Sequence, residues 1–221
     1  NKLISQVYEA KIKLQKTEMK ALQAQINPHF LYNSLSIINW KALEADNEEI
    51  SRITLALSTY YRTSLNKGET MTIAANEIRN IDAYLQIQLI MHDNSFQVIK
   101  EIQEDALSYS VPKLILQPLV ENAIEHGLDV SEKEEKWLKI SVCKEKDALI
   151  MAVEDNGMGM SEEQAKSIIT YRSKGYGVRN VNDRITLLYG EEYHLRVKSR
   201  QGEGCRIEIA IPVNKEEKRY E

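Results

Sequence analysis

Cys205-Arg206-Ile207-Glu208-Ile209-Ala210-Ile211 alternates apolar and polar side chains, and this stretch decides the fold class of the C-terminal half. With a side-chain period of two, Cys205, Ile207, Ile209 and Ile211 share one face and Arg206 and Glu208 the other, as a sheet with one buried side requires. Similar short segments at 96–102, 137–144, 148–154 and 193–200 are predicted strands. Predicted helices at 112–127 and 178–189 interrupt them. This order fits an α/β sandwich, a mixed sheet with helices on one face.

Upstream the pattern is helical. Leu31, Leu35, Ile38 and Ala42 space one helix over 30–45, and Ile50, Ile53, Leu57, Tyr60 and Tyr61 space a second over 48–65. Asp46 and Asn47 mark the turn between them, so the pair reads as a hairpin that two copies would complete as a four-helix bundle. Lys67-Gly68-Glu69 ends it. A third helix, over 75–91, carries Ile78, Ile81, Leu85 and Leu89. Before the hairpin, Leu3, Val7, Ala10, Leu14, Thr17, Ala21 and Ala24 recur in steps of four and three, which fits a short coiled-coil seam or an amphipathic helix lying on its own domain.

The junction is Asn27-Pro28-His29-Phe30-Leu31-Tyr32-Asn33. Pro28 cannot donate to Ala24 and biases Asn27 away from helical dihedrals, so a helix restarts there with His29 in its first turn. The fold class is therefore α+β. The expected divisions are a helical lead-in over 1–26, dimerisation and histidine-bearing helices over 27–92, an α/β sandwich over 93–213 and a charged tail over 214–221.

Composition narrows the function classes. A formal charge of -4, with acidic and basic residues interleaved, leaves no basic stripe for nucleic acid. Cys143 and Cys205 lie in predicted strands, outside any CxxC pair or metal-ligand spacing. No apolar run has the roughly 18 residues of a membrane span. The chain begins at Asn1, so it is expected to be a piece of something longer.

Three glycine clusters carry the chemistry. Asp155-Asn156-Gly157-Met158-Gly159-Met160 follows an apolar strand and sets a tight turn beside a fixed acceptor, although such a turn needs no ligand. Lys174-Gly175-Tyr176-Gly177 stands before a helix spaced by Val178, Val181, Ile185 and Leu188, so free amides face whatever occupies the helix start, and phosphate suits them. Gly202 and Gly204 bend the chain between the last two strands. On the helix Leu116-Gln117-Pro118-Leu119-Val120-Glu121-Asn122-Ala123-Ile124-Glu125-His126-Gly127, Leu116, Leu119, Val120 and Ala123 bury one face while Asn122 and His126 emerge on another. An amide oxygen there suits Mg²⁺, which keeps most of its waters; a capping or core-bridging Asn is the alternative.

In this order the motifs resemble those of the sensor histidine kinases, most closely the branch typified by the LytS and YesM sensors, from about residue 23 to 212. The stretch 25–33 resembles the H box, 116–127 the N box, 155–159 the first glycine box, and Gly175 through Gly177 and Asn180 to Arg184 the second. The resemblance implies a Bergerat-type ATP-binding domain, with ATP and Mg²⁺ as cofactors. It implies His29 as phosphoacceptor, Asn122 as magnesium ligand and Asp155 as acceptor for the adenine amine. Gly157 and Gly159 would shape the pocket, and Gly175 and Gly177 would end a lid over 159–176. His126, Lys174, Asn180 and Arg184 complete the implied nucleotide contacts. Asn33, one turn past His29, would orient a water for dephosphorylating the partner, or be a surface amide.

A homodimer, a response regulator receiver as phosphoryl acceptor, no nucleic-acid partner, and a cytoplasmic kinase anchored in the bacterial cell membrane through a missing N-terminal sensor region are implied in the same way. Phe30 stands where many branches place an acidic residue, and Glu125 where a lysine is common, with Lys174 or Arg179 as replacements; Met91-His92 stands where an arginine and an aromatic are usual. Two rivals share the fold: an ATP-hydrolysing clamp, disfavoured because Pro118 occupies the place of its water-activating glutamate, and a dimeric signalling module with a degenerate nucleotide site.

Overall fold

The computed structural model describes residues 28–65, 69–170 and 176–213. The expected lead-in over 1–26 and tail over 214–221 lie outside the described residues. Contacts divide the chain into two compact units, Asn1–Gly68 and Glu69–Glu221.

In the first unit, α1 (Pro28–Glu44) and α2 (Glu48–Ser64) form the expected hairpin. Pro28 is tolerated in the first turn because the N–H it lacks would have no helical acceptor there. Asp46, at φ 50, reverses the chain, and the Asn47 side chain accepts from Ile50 N at 3.0 Å to cap α2. Glu48 and Glu49 complement the dipole of that end. The seam is made of small residues, with Ala42, Ser51, Thr54 and Ala56 buried beside Leu35. Ser51 Oγ donates to Asn39 Oδ1 at 2.7 Å and Tyr32 OH to Tyr61 O at 3.3 Å. The expected apolar faces are only partly covered, with Ile38 47% and Ile50 44% exposed, and Trp40 and Leu55, outside those faces, are exposed as well.

The second unit runs β1 (Met71–Ile73), α3 (Ala74–Met91), β2 (Gln97–Ile102), a 3-10 turn (Glu104–Ser108), β3 (Ser110–Pro112), α4 (Gln117–Asn122) continuing into a π-helical turn (Ala123–Leu128), β4 (Trp137–Glu145), β5 (Ala148–Asp155), α5 (Glu162–Thr170), α6 (Tyr176–Tyr189), β6 (Arg196–Arg200) and β7 (Gly204–Pro212). The main sheet has the order β2-β4-β5-β7-β6, and β1 pairs with β3 in a two-stranded sheet. Only the β2–β4 pairing in the main sheet is parallel, which makes it mixed as expected. Register places Ile140 opposite Val153 and Val153 opposite Ile207. These inward rows meet Ile81 and Leu85 of α3, Leu119 and Val120 of α4, and Val181 and Ile185 of α6 in one core. Fully burying each such side chain contributes roughly 1.5–3 kcal/mol, so the alternation read in 205–211 is what ties sheet to helices.

Helix α3, which the expected division at residues 92 and 93 groups with the hairpin, gives Ile81 and Leu85 to the core of the second compact unit. Several element bounds are corrected. The helix expected over 112–127 begins only at Gln117; Ser110–Pro112 is a strand on β1, and Leu114, at φ 57, turns the chain before Pro118 enters the first helical turn. The strand expected over 193–200 shortens to Arg196–Arg200. Helix α5 was not expected. Its cap is legible in hindsight: Gln164 N donates to Ser161 Oγ at 3.3 Å while Ser161 N donates to Gln164 Oε1 at 2.9 Å, a capping box.

Candidate functional site

Asp155 ends β5 and is 4% exposed. Three glycines from three segments close around it. A Cβ on Gly127 would stand 2.6 Å from Asp155 Oδ1, one on Gly157 2.2 Å from the Gly127 carbonyl, and one on Gly204 2.0 Å from the Asp155 carbonyl oxygen. Gly157 N donates to Asp155 Oδ1 at 2.8 Å, and Met158 N donates to Gly127 O at 3.0 Å. The end of the π turn, the first glycine turn and the start of β7 are thus in backbone contact. Gly159, at φ 65, serves the same docking, since a Cβ there would meet Arg200 O at 2.1 Å.

Burial pushes the Asp155 carboxyl up to about 6, against the pull of the Gly157 and Cys205 amides. At neutral pH the carboxylate is still ionised about nine times in ten. A buried anion held by backbone amides is a strong acceptor for an N–H that arrives without its water. An exocyclic amine on a planar base meets that requirement, and glycine walls leave the close approach such a base needs.

Asn122 ends α4 half-buried, and His126 lies exposed in the π turn that follows. The widened ring shows as Asp129 N donating to Ile124 O at 2.9 Å. It carries the chain from Asn122 to Gly127, and so from a polar side chain to the Asp155 cradle. Among the described residues no group of three or more His, Cys, Asp or Glu could hold a metal ion. A lone amide oxygen fits Mg²⁺, which stays largely hydrated and shares its remaining positions with substrate phosphates. Glu121 is engaged by Gln117 Nε2 at 2.7 Å.

Helix α6 comes against α4 at Gly177, where a Cβ would lie 3.1 Å from Pro118 Cβ. Asn180 is exposed on the same helix. Lys174 and Gly175 lie outside the described residues. Of the expected lid over 159–176, the part at Glu162–Thr170 is helix α5, with Ala165 buried. Arg184 reaches the chain's own backbone. Its Nη2 donates to Leu114 O at 2.9 Å and its charge faces Glu77, so it is committed to the turn ahead of α4. Arg179 lies 3.5 Å from Asp183.

In the first unit, Asn33 Nδ2 lies 3.3 Å from His29 Nδ1, and both residues are exposed. The structure therefore joins the two residues that the sequence placed one turn apart. Sequence reasoning missed Glu77, which accepts from the N–H groups of Leu114, Ile115 and Leu116. As a carboxylate in the first turn of a helix, it carries no signal beyond ordinary dipole complementation.

Two family models match the chain, histidine kinase over residues 17–96 and the histidine kinase-, DNA gyrase B- and HSP90-like ATPase over residues 110–215. The chain is 35% identical to the sensor histidine kinase YesM of Bacillus subtilis, over 98% of this chain and 37% of that protein. It is 32% identical to the sensor protein LytS of Enterococcus faecalis, over 92% of this chain and 35% of that protein. It is 31% identical to the sensor histidine kinase BtsS of Escherichia coli K12, over 95% of this chain and 36% of that protein. The chain thus spans about a third of the length of these relatives. The histidine kinase domain of the Erythrobacter litoralis EL346 blue-light activated histidine kinase shares the fold, with a TM-score of 0.52 at 16% identity, over 90% of this chain and 94% of that one. So does the catalytic domain of the histidine kinase ThkA, at 0.51 and 22%, over 68% of this chain and 98% of that one. With a histidine kinase segment around His29 and an ATP-binding segment built around Asp155, the chain belongs to the sensor histidine kinases.

Proposed function

We propose that this chain is the dimerising and catalytic part of a two-component sensor kinase, which transfers the γ-phosphoryl group of ATP to His29 and from there to an aspartate of a response regulator receiver. The observation that carries the reading is the cradle of Gly127, Gly157 and Gly204 around a buried, ionised Asp155, to which Asn122 is joined through a single π turn. Asp155 accepts the adenine amine, and the turn at Gly157 lines the base. Asn122 would hold Mg²⁺, which when bound supplies charge neutralisation on the phosphates. We assign His126, Asn180 and the amides at the start of α6 to the phosphate chain, with Lys174 and Gly175 assigned there from the motif alone.

At the acceptor, a neutral imidazole has one nitrogen with a free lone pair, and the partner of the other nitrogen decides which one. With the amide of Asn33 turned so that Oδ1 accepts from His29 Nδ1–H, Nε2 is left as nucleophile. Amide orientation is an assignment made from such chemistry. Nε2 attacks the γ-phosphorus, the bond to the β,γ-bridging oxygen breaks, and ADP leaves with that electron pair. The phosphohistidine then passes its phosphoryl group to the receiver aspartate. Ile37, Trp40 and Leu43, exposed at three-residue spacing along α1, support a second copy as the partner that covers them. The full-length protein is assigned to the cell membrane through a region outside this chain.

Hydrolysis to free phosphate is the weaker reading, since Pro118 packs beneath Gly177 and the Glu121 carboxylate is engaged by Gln117. A degenerate site is disfavoured by the completeness of the cradle. Incubation with γ-labelled ATP and Mg²⁺ tests the proposal. The expected result is acid-labile, alkali-stable label that is absent from His29→Gln and Asn122→Ala. Label persisting in His29→Gln would move the acceptor elsewhere.

A further inference from the structure

Glu77 is 2% exposed in the first turn of α3, a burial that a carboxylate tolerates only when its oxygens are satisfied. They are satisfied by backbone. Oε1 accepts from Leu114 N at 2.7 Å, and Oε2 accepts from Ile115 N at 2.9 Å and from Leu116 N at 3.3 Å. Consecutive amides converging in this way form an anion nest, here filled by the chain's own carboxylate. The nest exists because Leu114 sits at φ 57, a left-handed conformation that a leucine keeps only when its surroundings hold it there. Arg184 clamps the same turn from the opposite helix through Leu114 O, and the buried Lys113 also faces Glu77.

The residue after Leu116 opens α4, and α4 is only six residues long, from Gln117 to Asn122. Leu119 and Val120 hold its middle in the core, and its two ends fix where it begins and where it leads. Its C-terminal end is docked through the π turn onto the first glycine turn, where Met158 N meets Gly127 O. Its N-terminal end rests on Glu77. Without the carboxylate, three amides at a largely buried turn lose their acceptor and Leu114 is free to return to negative φ, which displaces the start of α4.

We infer that Glu77 is a positioning residue for the nucleotide site: it fixes the strained turn from which α4 starts, and through α4 the placement of Asn122 and Gly127. This rests on the Mg²⁺-ATP reading proposed above. Arg184 acts with it, which accounts for an arginine of the second glycine box lying away from the cradle. If the role is positioning, loss of Glu77 weakens the contribution that Asn122 makes rather than ligand binding in general.

The test titrates the 221-residue chain, Glu77→Gln, Glu77→Asp, Asn122→Ala and the double variant Glu77→Gln/Asn122→Ala with ATP by calorimetry, once with Mg²⁺ and once with EDTA. Glu77→Gln is expected to weaken Mg²⁺-ATP binding roughly tenfold and to shrink the ratio of affinities with and without Mg²⁺, while costing little more once Asn122 is alanine. Glu77→Asp, which keeps the charge but reaches fewer amides, is expected to fall between wild type and Gln, and it decides the matter by the same ratio if Glu77→Gln does not fold. Hydrogen exchange should show the amides of Leu114, Ile115 and Leu116 deprotected while those of Ile140 and Val153 stay protected. Equal losses with Mg²⁺ and EDTA, or full affinity in Glu77→Gln, would overturn the inference while leaving the kinase reading intact. Wild type that shows no Mg²⁺-dependent binding would overturn that reading and the inference together.

Discussion

Replacing Asp155 by asparagine should make the ligand-free protein more stable at neutral pH while removing nucleotide binding. The carboxyl is raised from 3.8 to about 6 in the folded protein, chiefly by burial. Between those values the folded state holds a proton that the unfolded chain releases. Stability therefore falls as pH rises from about 4 to about 6, and the penalty is complete above that. At 1.36 kcal/mol per pH unit it amounts to about 3 kcal/mol at pH 7. Asparagine carries no charge to desolvate but weakens the bonds from Gly157 N and Cys205 N, which returns about 1 kcal/mol. The net gain of about 2 kcal/mol corresponds to roughly 4–8 °C in melting temperature for a unit of this size.

Melting curves of wild type and Asp155→Asn, recorded from pH 5 to pH 8 with and without Mg²⁺-ATP, measure this. The gain should be present at pH 7 and 8, shrink toward pH 5 as wild type takes up its proton, and be accompanied by loss of the ATP-induced rise. In wild type, ATP affinity should itself decline as pH falls through 6. A ligand-free Asp155→Asn that melts below wild type at pH 7, or a gain unchanged between pH 5 and pH 8, would refute the reasoning that burial dominates this site.

Gly157→Ala sets a Cβ against the Gly127 backbone, which cannot yield as a flexible side chain would; a loss of about 1–3 kcal/mol in denaturant unfolding, with ATP binding abolished, is the expected cost of overpacking. Placing charge on the exposed apolar face of α1 with the double substitution Ile37→Glu and Trp40→Glu should convert a dimer to a monomer in sedimentation experiments while far-UV circular dichroism stays helical; an unchanged dimer would remove that face from the interface. Ser161→Ala removes one half of the capping box, and about 1 kcal/mol of local stability at α5 should be lost as faster amide exchange at residues 162–165.

How much of the molecule was legible beforehand depended on the range of the interactions involved. The strands expected over 137–144 and 205–211 and the hairpin could be read because side-chain period is a local property. So could Asp155 with Gly157, where carboxylate and amide lie two residues apart. The turn from Pro112 to Gln117 could not. Its apolar residues continue a helical spacing, and the left-handed Leu114 is held by partners distant in sequence, the Glu77 carboxylate at its N–H and Arg184 at its carbonyl. The contacts of Arg184 were hidden for a related reason, since a motif position states which residue is present and not which way the helix turns it. The affiliation of α3 was likewise invisible, because an amphipathic face does not name the surface that covers it.

From the sequence alone came the fold class, the family resemblance and the identity of His29, Asn122 and Asp155 as the residues to watch, because period, turn chemistry and motif order are written in neighbouring residues. The tertiary structure decided what those residues touch. Gly127, Gly157 and Gly204 meet at Asp155 from three separate segments, and Glu77 reaches 37 residues along the chain to the turn that starts α4. Such contacts are set by how packed elements satisfy buried polar groups together, and no local window of sequence contains both partners.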